Sequence, residues 1–323
     1  MLLFSQQLSR TLILAPLAHA APPARKILKT TMPSNKEIVD YYDFSTLDYQ
    51  IYNGSLTDLS MHFGLWDETT ATHREALKNE NRVVAQLLGI TARDRVLDLG
   101  CGYGSSAVWL AEHIGCHVTG ITLSAKQVAI ARQLAKSHGV AHRTYFMPMD
   151  FHKLAFPPER FTAAFAIESI CHSSDKNAVL RETLRVLKPG GRLAVADGYL
   201  GKKRNLLTPE EETIAKTCFD GVHIPPLLER TAFQALLAET GFDQIIWINK
   251  TSAILRTSRR THQLAKYLLL PLSGIFRLLR RRALQVAHAR AFVEQYNAFR
   301  GGLGLYGIFL ATKPLNGARK MKG

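Results

Sequence analysis

Residues 95–104 read Arg95-Val96-Leu97-Asp98-Leu99-Gly100-Cys101-Gly102-Tyr103-Gly104, a short apolar run that passes directly into three glycines at alternate positions. The run predicts a buried strand, and the glycines predict a tight turn into the helix that follows. Without a Cβ the backbone bends sharply there and lets a ligand approach closely at the helix N-terminus. A glycine-rich turn by itself is common to many nucleotide-binding proteins, which more often carry G-x-G-x-x-G. Here the spacing is G-x-G-x-G two residues after Asp98, which is the first discriminating feature.

Outward from this turn the chain alternates strand and helix patterns. Strand one at 95–100 leads into the helix SSAVWLAEHIG, and CHVTGITL (116–123) into SAKQVAIARQLAKSHG, with Ser124 as a candidate N-cap. RTYFMPMD, FTAAFAIE (161–168) and GRLAVADGYL (191–200) continue the strands, and NAVLRETLRVLKPGG reads as a helix and its stop. Alternation at this spacing predicts an α/β fold with a doubly wound, mostly parallel seven-stranded sheet. Five segments follow: a basic leader (1–36), lid helices (37–94), a cofactor-binding core (95–200), a stretch of inserts with one helix and one strand of the core (201–303), and a final strand with a basic tail (304–323). The two inserts, after strand five and before the last strand, are expected to cap the carboxyl edge of the sheet, where ligands bind in such folds.

VLDLGCGYG resembles the first motif of class I S-adenosylmethionine-dependent methyltransferases, and Asp150 in MPMD, FTAAFAIE and LKPGGRLAVAD fall at that family's positions. The resemblance implies a Rossmann-like core with S-adenosyl-L-methionine as cofactor. It implies that Asp98, Gly100, Gly102 and Gly104 flank the methionine part and that Asp150 and Phe151 lie beside the adenine. Most members end strand two on an acid that bridges the ribose hydroxyls, whereas this chain has Thr122. The string GITLSAKQ is similar to one found in mycolic-acid and fatty-acid cyclopropane synthases and in tocopherol methyltransferases. That likeness transfers the ribose role to Thr122, Ser124 and Gln127.

The acceptor is read from three further strings. AIESICHSSDK (166–176) resembles sterol C-methyltransferases, YYDFSTLDYQIYNG (41–54) resembles the lid of sterol methyltransferases and cyclopropane synthases, and the layout from residue 208 onward resembles tocopherol-type enzymes. All three groups act on hydrophobic acceptors, so methylation at carbon of an isoprenoid or sterol-like lipid is the leading expectation, with O- or N-methylation of a small soluble metabolite as the alternative. Methylating an alkene creates a cation, which a carboxylate and aromatic faces stabilise. Glu168 and His172, just past strand four, are the candidates for that work and for proton removal; a carboxylate that only orients its loop and a loop histidine fit the same letters. Tyr41, Tyr42, Tyr49 and His62 are candidates to close over the cofactor, although tyrosines on an amphipathic helix also serve packing. The Cys, Glu, His and Tyr set that holds bicarbonate in cyclopropane synthases is not traceable here, which disfavours a cyclopropane product.

Charge is localised. The net +15 arises from residues 1–36, with five Lys/Arg and no acid, and residues 244–293, with ten and no acid. The leader leaves three accounts open: a cleaved export signal ending near Ala18-His19-Ala20, an organelle transit peptide, or a start at Met32 behind an unstructured leader. Residues 255–290 alternate basic clusters with Leu, Ile and Phe and are expected to lie against an anionic membrane surface, giving a cytoplasmic enzyme with peripheral membrane attachment. A solvated basic face is the competing account, and nucleic acid is not an expected partner, since no aromatic-interleaved basic strand is present. Four cysteines at 101, 116, 171 and 218 lack metal-ligand spacing, so no metal is expected.

Overall fold

The computed structural model describes residues 34–43, 59–272 and 282–315. The leader, Tyr49, part of the basic insert (273–281) and the tail beyond 315 lie outside the described residues.

Helix α1 (35–43) precedes α2 (His73–Leu87), which opens on a capping box in which Thr72 and Glu75 satisfy each other's backbone amides. The core then alternates β1 (Arg95–Leu99), α3 (Ser105–His113), β2 (His117–Thr122), α4 (Ala125–Ser137), β3 (Thr144–Pro148), β4 (Phe161–Ile167), α5 (Lys176–Val186) and β5 (Leu187–Leu200). After β5 come α6 (Pro209–Gly221), α7 (Arg230–Thr240), β6 (Asp243–Asn249), α8 (Thr251–Leu264), a π-helical turn (Ala265–Leu269), the short α9 (Leu270–Leu272), α10 (Arg282–Arg300) and β7 (Gly304–Thr312). The seven strands form one sheet in the order β3-β2-β1-β4-β5-β7-β6, with β7 antiparallel to both neighbours. The doubly wound seven-stranded sheet expected from the sequence is therefore the fold observed.

Parallel strands covered on both faces have no water-facing side, which is why β1 and β4 read as almost continuous apolar runs. Val96, Leu97 and Leu99 of β1 and Ala163 to Ala166 of β4 are fully buried. Crossovers leave in opposite directions from β1 and β4, so a crevice opens between their carboxyl ends. Ser124 caps α4 as expected, its hydroxyl accepting from the Gln127 amide at 3.1 Å.

Strand β5 begins four residues earlier than expected, at Leu187 rather than Gly191. Leu187 pairs with Phe161 across a register shift in β4, and the Gly190 amide donates to the Lys313 carbonyl at 2.8 Å. The helix stop thus becomes strand because partners distant in sequence satisfy its backbone.

Helix α10 packs along both α6 and α8 to form the helical cap. The α6–α10 crossing is close because Gly221 faces Ala287 and Ala291; a Cβ there would lie 2.5 Å from the Ala287 carbonyl oxygen. Among the described residues no helix is long and apolar enough to cross a membrane.

One glycine in the sheet tests this packing. A Cβ at Gly307, on β7, would meet the Trp247 ring at 2.3 Å and the Ile248 carbonyl oxygen at 2.5 Å, neither free to withdraw. Gly307→Ala is expected to destabilise the protein by about 1–3 kcal/mol, read as a lower midpoint in thermal or urea unfolding.

Candidate active site

The glycine turn shapes a cleft at the carboxyl ends of β1, β2 and β4. Gly100, Gly102 and Gly104 adopt φ of +83°, +51° and +80°, the left-handed region that only glycine enters freely. At Gly100 the restriction is also spatial: a Cβ would fall 2.4 Å from the Ser169 Cβ. The cleft encloses about 990 Å³, part of it open to solvent. Asp98, Gly100, Gly102, Thr122, Ser124, Gln127 and Phe151 all line it, so the chain brings together most of the residues assigned to the cofactor.

Gly104 and Asp150 are placed differently. Gly104 is the N-cap of α3, and a Cβ there would press on Ala131 and Phe146 rather than on the cleft. The Asp150 carboxylate accepts from the His152 amide (2.9 Å), the His152 ring (2.6 Å) and the Asn35 side chain (2.8 Å). Burial raises its pKa, but these donors more than compensate and hold it below the ordinary carboxylate range.

At the end of β2 the Thr122 hydroxyl donates to Gln127 Oε1 at 2.5 Å, and the Ser124 hydroxyl donates to Asp43 of α1 at 2.6 Å. Helix α1 thereby brings an acid to the edge of the cleft where β2 lacks one. Asp98 is the opposite case. Its Oδ2 is buried with no hydrogen-bond partner, and burial pushes its pKa up to about 8, His62 opposing.

A second cavity of about 820 Å³ adjoins the first and shares Tyr42, Met61, His62, Glu168 and His172 with it. Its other walls are largely apolar, with Phe63, Val222, Ile224, Leu227, Phe292 and Phe299 from the lid and cap. Asp197 adds a second carboxyl; burial raises it to about 6 against hydrogen bonds from the Gly198 and Cys171 amides.

Glu168 stands where the two cavities meet, in a left-handed backbone conformation (φ +49°) just beyond β4. Its Oε1 accepts from the Phe63 amide at 2.6 Å and lies 3.0 Å from the Tyr306 hydroxyl. That hydroxyl is also 2.6 Å from Oε1 of Glu80, a fully buried acid on α2. His62 closes the cluster, its Nδ1 lying 2.8 Å from Glu80 Oε2 while its N–H is directed at the Phe63 carbonyl (2.9 Å). Burial and the Glu80 charge raise Glu168 to about 8, against His62. Burial lowers His62, but Glu80 and Glu168 outweigh it and raise the imidazole to about 9.

Of Tyr41 and Tyr42, both expected to close over the cofactor, only Tyr42 lines the cavities. Tyr41 is buried in the cap, its hydroxyl 2.9 Å from His288 Nε2, outside both cavities. Its neighbour Tyr42 faces the junction instead and bonds His172 Nε2 at 2.5 Å, because adjacent helical residues point about 100° apart. Burial lowers His172 to about 4, so at neutral pH the ring is uncharged.

Sequence reading missed Glu80 and Tyr306. For Glu80 a signal existed: it falls on the same helical stripe as Ala76, Leu77 and Val84, where a charged residue is out of place. Tyr306, in an apolar final strand, carried none.

The chain is similar to known methyltransferases in sequence and fold. A methyltransferase-domain family model matches residues 96–191. The chain is 35% identical over 202 residues to the O-methyltransferase rstn1 of Aspergillus nomiae, covering 61% of this chain and 88% of that protein. It is 37% identical over 166 residues to the methyltransferase GfsG of Streptomyces halstedii, covering 50% of this chain and 58% of that one. Against the sterol 24-C-methyltransferase ERG6 of Saccharomyces cerevisiae the identity is 31% over 212 residues, or 66% of this chain and 54% of ERG6. The crystal structure of the [4+2]-cyclase SpnF superposes with a TM-score of 0.73 at 26% identity, covering 88% of this chain and 98% of SpnF.

The raised groups predict a pH dependence. Asp98, Glu168 and His62 bind protons more tightly folded than unfolded, so the stability they contribute is present at low pH and lost as pH rises toward 8–9. His172, lowered to about 4, acts in the opposite direction only up to about pH 6.5. The ligand-free protein should therefore melt at progressively lower temperature from pH 6.5 to 9 in differential scanning fluorimetry, and Asp98→Asn should flatten that slope.

Proposed function

The chain belongs to the class I S-adenosylmethionine-dependent methyltransferases, and from that premise we propose that it methylates a hydrophobic, isoprenoid- or sterol-like acceptor at carbon. The observation that carries this reading is Glu168 at the mouth of an apolar-walled cavity that opens onto the cofactor cleft.

The residues of the cleft fit the cofactor. Asp98 Oδ2, buried and unpartnered, suits an ammonium group, and Gly100 and Gly102, both at positive φ, turn the backbone along the cleft wall without side chains. Thr122, Ser124 and Gln127 supply hydroxyl and amide groups for a ribose, with Phe151 as the apolar face beside the adenine. Bound there, S-adenosylmethionine supplies an electrophilic methyl group on a sulfonium centre.

The chain's own work is positioning, exclusion of water and proton handling. Phe63, Phe292 and Phe299 orient the acceptor by shape and desolvate it. Attack by an alkene carbon leaves a cation on the acceptor, which the Glu168 carboxylate and the faces of Tyr42 and Phe63 stabilise. Glu168 then removes the proton. His172, neutral and tied to Tyr42, holds α1 over the junction.

Incubating the protein with methyl-labelled cofactor and a total lipid extract should place the label in the lipid fraction, on a carbon resistant to ether cleavage. Glu168→Gln should lower turnover by about 10²-fold or more while affinity for S-adenosylhomocysteine, which lacks the sulfonium charge, stays within a few fold. Label confined to aqueous metabolites would overturn the reading. A second reading, O-methylation of a hydrophobic hydroxyl, is favoured by the 35% identity to an O-methyltransferase; release of the label as methyl iodide by hydriodic acid would select it.

The same reading includes delivery from a membrane. On α8, Thr257 and Thr261 line the acceptor cavity while Arg256 and Arg259 are exposed, and in the π-helical turn that follows Lys266 is exposed and Tyr267 and Leu268 are 69% and 46% exposed. Basic side chains beside exposed apolar ones suit an anionic bilayer, at about 1 kcal/mol per charge. The protein should float with phosphatidylglycerol vesicles but not with phosphatidylcholine vesicles, and Arg259→Glu with Lys266→Glu should abolish flotation.

A further inference from the structure

The cluster behind Glu168 sets a proton count. The Tyr306 hydroxyl has one proton to donate and faces two carboxylate oxygens, Glu80 Oε1 at 2.6 Å and Glu168 Oε1 at 3.0 Å. If it donates across the shorter contact, the longer one is a hydrogen bond only when Glu168 carries a proton of its own. A second carboxylate held this close in a dry interior disfavours ionisation of Glu168.

The groups around Glu168 leave that proton exposed to one influence. Glu80 faces it from α2, Asp197 from β5 and Tyr306 from β7, while His62 supplies the opposing positive charge. Burial and the neighbouring acids outweigh both His62 and the Phe63 amide, which donates to Oε1 at 2.6 Å, and keep the proton on Glu168 up to about pH 8. Glu168 lines both cavities, and the cleft is the side from which a bound methyl donor would act on it.

We propose that Glu80 and Tyr306 hold Glu168 protonated in the empty site, and that a sulfonium in the cleft expels this proton and so turns Glu168 into the base. The base is thus armed only when a methyl donor is bound. The expelled proton leaves Glu168 Oε for solvent before chemistry; on methyl transfer the acceptor's proton takes its place and Glu168 returns to its resting state. In this scheme Glu80 is a positioning residue: it touches neither cofactor nor acceptor and acts by tuning Glu168.

The inference rests on reading the cleft as the cofactor's and can be tested without an acceptor. S-adenosylmethionine and S-adenosylhomocysteine share the ammonium that Asp98 would meet, so its contribution cancels between them, and they differ in the sulfonium charge. Isothermal titration of the full chain at pH 7.5, in buffers of different ionisation enthalpy, counts the protons released by each. S-adenosylmethionine should release about three-quarters of a proton more, the protonated share of a group titrating near 8. Glu80→Gln should reduce this excess below about one-quarter, because Glu168 is then already ionised, and Glu168→Gln should remove it.

A variant-free measurement guards against misfolding: the wild-type excess should fade to nothing by about pH 9.5. Equal proton release by the two ligands overturns the proposal, as does an excess that survives in Glu168→Gln, which would assign the proton to His62. Failure of both ligands to bind would instead overturn the reading of the cleft.

Discussion

The carboxyl ends of β1 and β4 approach so closely that only glycine fits between them. A Cβ on Gly100 would stand 2.4 Å from the Ser169 Cβ, and the Ser169 hydroxyl donates to the Leu99 carbonyl across the same gap. This contact pins the loop after β4 to the turn after β1 and thereby sets where Glu168 projects. The glycine-turn cleft and the apolar-walled cavity both border that loop, so one steric constraint positions the two cavities and the acid between them.

The lid and cap complete the enclosure with polar ties rather than apolar packing alone. Asn35, Tyr42 and Asp43 of α1 reach Asp150, His172 and Ser124 in turn, touching the loop after β3, the junction of the two cavities and the end of β2. A helix that bonds to three regions of one cleft encloses it along its length. The buried acids add an electrostatic consequence: Asp98 and Glu168 line the cleft beside His62, with Glu80 and Asp197 behind them, so positive charge entering the cleft would favour ionisation of Asp98 and Glu168. Such charge is what a sulfonium donor or a cationic acceptor would bring.

Much of the fold was legible because it follows from local pattern. Alternating strand and helix periods, the capping residues Thr72 and Ser124 and the glycine turn each depend on residues within a few positions of one another. The early start of β5 was not legible, since Leu187 to Gly191 becomes strand only through partners in β4 and at Lys313. Tyr41 and Tyr42 illustrate the same limit on a smaller scale: composition placed tyrosines in the lid, but the rotation of α1 against the cap decides which one faces the site.

By itself the sequence determined the class of the protein, since glycines at 100, 102 and 104 after Asp98, with Asp150 and the strand order, already specify a methyl-donor cleft. It also placed Glu168 and His172 at the carboxyl edge of the sheet, because both follow directly on β4. Tertiary structure alone decided that Glu168 shares its environment with Glu80 and with Tyr306, the latter two 226 residues apart in the chain. The physical reason is that a pKa in a dry interior depends on charges a few ångströms away in space, and no local pattern records which distant strand supplies them.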